Sequence, residues 1–176
     1  GPGDGCTMTE AETAGITKVP TYVIGLDEIL GGGIPEKNVV LLAGTEGTMK
    51  SSLSYYILWA NAYQRDVRGL YISFEQRSSS LLAQMAEMGL PLGGKVKGRL
   101  LMADLTDVRK ETREDLSIPL FVDFTRDIIG MHKVELLVVD SLSALRTLVS
   151  ETDHPRKGMF SLLEALRDMG VTTILI

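Results

Sequence analysis

The segment Gly44-Thr45-Glu46-Gly47-Thr48-Met49-Lys50-Ser51-Ser52 spaces two glycines, a lysine and paired hydroxyls as a phosphate-cradling loop requires. Gly44 and Gly47 permit a tight turn whose successive N–H groups converge on phosphate oxygens, and the following helix terminus favours negative charge there. Lys50 is placed to reach the outer phosphates as a point charge, and the Ser51 hydroxyl suits Mg²⁺, with Ser52 the weaker candidate. Met49 stands where the pattern expects its last glycine, putting a side chain where the backbone passes closest to the ligand. The segment therefore points to nucleoside triphosphate binding, with a plain glycine turn ahead of a lysine-initiated helix as the alternative.

Such a loop needs a strand before it and a helix after it. The apolar run Val39-Val40-Leu41-Leu42-Ala43 supplies the first, and Leu53, Tyr56, Ile57 and Ala60 at helical spacing supply the second. Further along, Gly69 to Glu75 reads as a buried strand, and Ser78-Ser79-Ser80 as the cap of a helix carrying Leu81, Leu82, Met85 and Met88. Arg99 to Leu105 reads as a shorter strand, Thr106 to Ser117 as a charged connector, and the residues from Pro119 to Ile129 as an amphipathic helix. Val134 to Ser141 is a strand, Met159 to Met169 a helix ending at Gly170, and Val171 to Ile176 a final apolar strand. This βα alternation predicts a mostly parallel sheet with helices on both faces. A chain ending on an apolar strand is expected to continue beyond Ile176.

Two carboxylates fall at strand ends downstream of the loop. Asp140 closes a run of apolar residues, where an aspartate can hold Mg²⁺ through water; without the loop upstream it would read as a turn or cap. Glu75 is the candidate general base for the attacking water, against the plainer reading of a solvated Glu-Gln-Arg turn. Its neighbour Gln76 can position water but cannot take its proton. Ser141 and Ser143 are weaker candidates for contact with a terminal phosphate.

With 176 residues and 44% hydrophobic content, the chain fits one core, assigned here to 16–176 behind a tail over 1–15. Gly1-Pro2 resembles the remnant of tag cleavage, and Met8 is the candidate native start. A lone Cys6 and the absence of an apolar span or signal peptide point to the cytoplasm, with no membrane role. The net charge of −5 disfavours a nucleic-acid surface. Arg146, His154, Arg156 and Lys157 form the one locally basic segment, read as a loop near a neighbouring subunit or nucleic acid, or simply solvated.

Ile16-Thr17, the stretch Gly25-Leu26-Asp27-Glu28-Ile29-Leu30-Gly31-Gly32-Gly33-Ile34-Pro35 and the loop after it resemble the opening of KaiC-like and RadA-like ATPases of the RecA superfamily. Phe74-Glu75 is similar to that family's catalytic glutamate strand, and Val139 to Leu145 resembles the Walker B strand of its KaiC branch. The resemblance covers 16–176 and implies a three-layer α/β RecA-like P-loop NTPase core lacking its C-terminal part. It further implies binding of ATP and Mg²⁺, slow hydrolysis, and self-association into a ring, commonly a hexamer, whose adjacent subunit completes the site. On this resemblance the leading function is a regulatory or signalling ring ATPase with an unidentified signalling partner. The alternatives are a nucleotide-gated scaffold with little hydrolysis, motivated by Met49 and by Gln76 in place of the family's second glutamate, and a recombinase-like DNA-dependent ATPase.

Overall fold

The computed structural model describes residues 15–106, 117–150 and 152–176. The interior of the expected Thr106–Ser117 connector and nearly all of the tail, Cys6 and Met8 included, lie outside them. Five strands form one parallel sheet: β3 (Val39–Leu41), β4 (Gly69–Ser73), β5 (Leu100–Asp104), β6 (Leu136–Asp140) and β7 (Thr172–Leu175). Their spatial order is β3-β7-β6-β4-β5, so β6 lies between β7 and β4. The remaining strands, β1 (Lys18–Val19) and β2 (Ile34–Pro35), make a small antiparallel pair that the sequence reading did not anticipate.

Side-chain alternation along each strand divides the core into two layers. On β4 and β6, Leu70, Ile72, Leu137 and Val139 face one way, where they pack with α4 (Ile118–His132), α5 (Leu142–Ser150) and α6 (Pro155–Asp168). Tyr71, Leu136 and Val138 face the other way, against α2 (Lys50–Arg65) and α3 (Ser78–Glu87). The same parity turns Asp140, two residues beyond Val138, toward the α2 face. The result is the three-layer α/β arrangement with a parallel sheet that the alternation predicted.

Two local expectations change. Leu142 to Ser150 is helical, with Ala144, Leu145 and Val149 buried, whereas the sequence reading ran the strand to Ser141 and placed Arg146 in a loop. Helix α3 is not capped by its serines: its N-cap is Arg77, and the Ser78 N–H donates to Asp104 Oδ2 at 2.8 Å, at the end of β5. Burial opposes the charge on Asp104, but hydrogen bonds from the Thr106 hydroxyl and from the Ser78 and Thr106 amides hold its carboxyl below the ordinary value.

The Gly25-to-Pro35 segment is explained by its own contacts. Gly33 has φ +135, and a Cβ there would meet the Val19 carbonyl oxygen at 2.0 Å, so only glycine lets β2 close on β1. Asp27, in the short helix α1 (Leu26–Ile29), accepts from the Thr21 N–H at 2.8 Å, the Thr21 hydroxyl at 2.6 Å and the Tyr22 N–H at 3.1 Å. Burial works against its charge, but these bonds outweigh it and lower the carboxyl below its ordinary value. The stability they contribute is thus present above the unfolded carboxylate value of about 4 and is lost as pH falls through the lower folded value. Replacing Asp27 by Asn should cost about 1 kcal/mol at pH 7, because one oxygen no longer accepts. In thermal melts this deficit should shrink as pH falls below about 4; a deficit that stays constant with pH would contradict the assignment.

Candidate nucleotide site

The C-terminal ends of β3, β4 and β6 open on one side of the sheet, where ligands of parallel α/β folds bind. A cavity of about 930 Å³ lies there, lined among others by Gly44, Gly47, Lys50, Ser51, Glu75 and Asp140. Glu46, Thr48, Met49 and Ser52 also line it. Thr45 does not, but its carbonyl accepts from the Thr48 hydroxyl and from Lys50 Nζ, each at 2.8 Å. Lys50 Nζ also donates to the Gly44 carbonyl at 2.8 Å, so the lysine stitches the two ends of the loop together.

Three backbone features shape the loop for an anion. Gly47 has φ +76, and a Cβ on Gly44 would meet the Thr48 hydroxyl at 2.9 Å. Helix α2 begins at Lys50 without any side-chain cap, leaving its first N–H groups to serve the cavity. Met49 is itself left-handed, at φ 61 and ψ 29, so the backbone follows the path a glycine would take and the side chain is 56% exposed. Methionine therefore costs conformational energy without displacing the loop. Both Met49→Gly and Met49→Ala remove the side chain, but only glycine relieves the left-handed strain. In chemical denaturation Met49→Gly should exceed Met49→Ala by about 0.5–1 kcal/mol, and equal stability would contradict a left-handed Met49.

The two halves of the site meet at Asp140. Its Oδ2 accepts from the Ser51 hydroxyl at 2.6 Å and from the Tyr71 hydroxyl at 2.7 Å. Asp140 is only 7% exposed, so these donors offset the cost of burying its charge. Burial pushes the Tyr71 phenol far above its ordinary value, and the Asp140 charge adds to this, which keeps the phenol a donor. A hydroxyl and a carboxylate, both hard oxygens, suit Mg²⁺, which keeps several waters and takes few protein ligands. Correspondingly, the described residues contain no cluster of three or more His, Cys, Asp or Glu able to cage a metal.

Glu75 lies two residues beyond the end of β4, exposed, and its Oε1 accepts from the Ser141 hydroxyl at 3.1 Å. The neighbouring Gln76 carbonyl accepts from the Ser73 hydroxyl, which fixes the turn carrying Glu75. Arg146 also lines the cavity from α5, as does Ser143, whereas His154, Arg156 and Lys157 sit exposed at the start of α6. Tyr71 went unnoticed in the sequence because a tyrosine in an apolar strand reads as core. A second basic group, Arg68, Lys95, Lys97 and Arg99, lines a separate cavity where β4 and β5 begin; its alternating Lys-Val-Lys-Gly-Arg spacing makes no continuous run of charge.

A parallel sheet, a glycine loop leading into an uncapped helix and an aspartate ending a neighbouring strand define a P-loop NTPase architecture. The family model described as the KaiC ATPase matches residues 19–176. The chain belongs to this family. It is 28% identical over 170 residues to the circadian clock oscillator protein KaiC of Rippkaea orientalis, covering 95% of this chain but 33% of that protein. It is 30% identical over 181 residues to a UPF0273 protein of Pyrococcus furiosus, covering 92% of this chain and 68% of the relative. The crystal structure of a KaiC-like protein from Pyrococcus horikoshii OT3 superposes with a TM-score of 0.74 at 24% identity, over 91% of this chain and 69% of the other, a likeness of fold. The chain thus spans about a third of the length of the KaiC relative.

Proposed function

We propose that this chain binds Mg²⁺·ATP in the cavity at the C-terminal strand ends and hydrolyses it slowly, as a module of a self-associating regulatory or signalling ring. The observation that carries the reading is the Ser51–Asp140 hydrogen bond, which joins the phosphate loop to the acidic strand end in the arrangement that Mg²⁺·nucleotide requires. Family membership supports ATP as the nucleotide. The ring and its signalling role rest on the resemblance of the Gly25-to-Pro35 lead-in and loop to KaiC-like ATPases. No helix among the described residues is long and apolar enough to cross a membrane.

Each group has a task in this reading. The α2 N-terminal amides and Lys50 hold the phosphates, and Lys50 exchanges its carbonyl partners for phosphate oxygens. Ser51 and Asp140 would hold the metal ion, which when bound would neutralise charge developing between the outer phosphates. Glu75 takes a proton from the water that attacks the terminal phosphorus, as the bond to the ADP oxygen breaks. The Ser141 hydroxyl aims the Glu75 carboxylate, and Gln76 has no basic group to replace it.

Glu75→Gln removes the base but keeps the side chain's shape. Phosphate release under excess Mg²⁺·ATP should fall by about a hundredfold, while ATP affinity stays within a factor of about two. Equal turnover by wild type and variant, with both binding ATP, would remove Glu75 from the mechanism.

A further inference from the structure

We infer that Tyr71 is a positioning residue for the metal-binding carboxylate: its hydroxyl locks the Asp140 side chain in the rotation that leaves Oδ1 turned to a metal-bound water. This deepens the Mg²⁺·ATP reading and rests on it.

Tyr71 is fully buried on the α2 face of β4, two residues before the position opposite Asp140, since Ser73 pairs with Asp140 and Tyr71 with Val138. Its ring packs in the same cluster as Tyr55, Leu58 and Val138, a role phenylalanine would fill without burying a hydroxyl. That hydroxyl reaches Asp140 Oδ2 at 2.7 Å, the oxygen that Ser51 also meets at 2.6 Å.

The torsion carrying a carboxylate is soft and roughly twofold, so a single hydrogen bond leaves it free to swing. Two donors arriving from different elements, α2 and β4, fix its plane. Both converge on Oδ2, and Oδ1 has no hydrogen-bond partner among the described residues. The division suits the metal-bound state. The Ser51 hydroxyl would go on donating its own proton to Oδ2 while its oxygen lone pair faced Mg²⁺, and Oδ1 would be left to accept from a water of the metal's shell. Tyr71 takes no part in proton transfer, since its hydroxyl is committed to Oδ2 and buried away from the cavity.

The test removes that one oxygen. ATP affinity of the full chain would be measured by calorimetry in excess Mg²⁺ and again in EDTA, for wild type, Tyr71→Phe, Asp140→Asn and the double variant, with melting curves to establish folding. Tyr71→Phe should bind roughly tenfold more weakly in Mg²⁺ and unchanged in EDTA, and should add no further loss in the Asp140→Asn background. Equal affinity in Mg²⁺, equal weakening in EDTA, or additive losses in the double variant would each overturn the role and leave Tyr71 as packing. A folded wild type that binds no ATP in either condition would instead overturn the Mg²⁺·ATP reading itself.

Discussion

A buried carboxylate must be met by donors, and in this fold the requirement is satisfied at Asp140 by residues from two different layers. Ser51 comes from the first turn of α2, Tyr71 from the neighbouring strand, and both end on one oxygen. This junction ties the phosphate loop to the sheet. If the sheet register shifted by one residue, Asp140 would turn to the opposite face and the loop would lose its acidic partner. The parallel pairing of β6 with both β4 and β7 is what prevents that shift.

The rest of the site follows from where strands end. β3 stops at Leu41 and the chain becomes the loop; β4 stops at Ser73 and the chain becomes the turn bearing Glu75; β6 stops at Asp140 itself. Hydrogen bonds between these ends, such as the Phe74 N–H to the Asp140 carbonyl at 2.8 Å, hold the turn and the carboxylate in one frame. Ser141 then reaches Glu75 across the same edge. Rigid strands thus deliver the polar groups, and short loops present them, which is how parallel α/β folds commonly build sites.

Much of this arrangement was legible in the sequence because local signals agreed with one another. The loop could be placed by its own spacing and by the strand and helix patterns on either side, and Asp140 by the apolar run before it. What escaped depended on contacts between distant segments. Tyr71 is indistinguishable from a core tyrosine until β6 is set beside β4, and Asp104 meets the first amide of α3 only when β5 is in place. The helix Leu142–Ser150 was hidden because Ser141, Leu142 and Ser143 continue a strand-like pattern, and its apolar face of Ala144, Leu145 and Val149 is short. The same pattern makes Arg146 look loop-borne, whereas α5 carries it to the cavity.

Met49 illustrates how a departure from pattern is absorbed. Its left-handed backbone does what glycine would do and the residue stays half-exposed at the cavity's edge, so the departure falls on conformational energy. Whether this loop holds the phosphates of a nucleotide is decided by calorimetric titration of ATP into the folded wild type and Lys50→Ala in excess Mg²⁺. Wild type should show saturable one-to-one binding, and Lys50→Ala, confirmed folded by its melting curve, should lose about a hundredfold or more. Binding equally tight in both proteins would contradict phosphate binding by the loop.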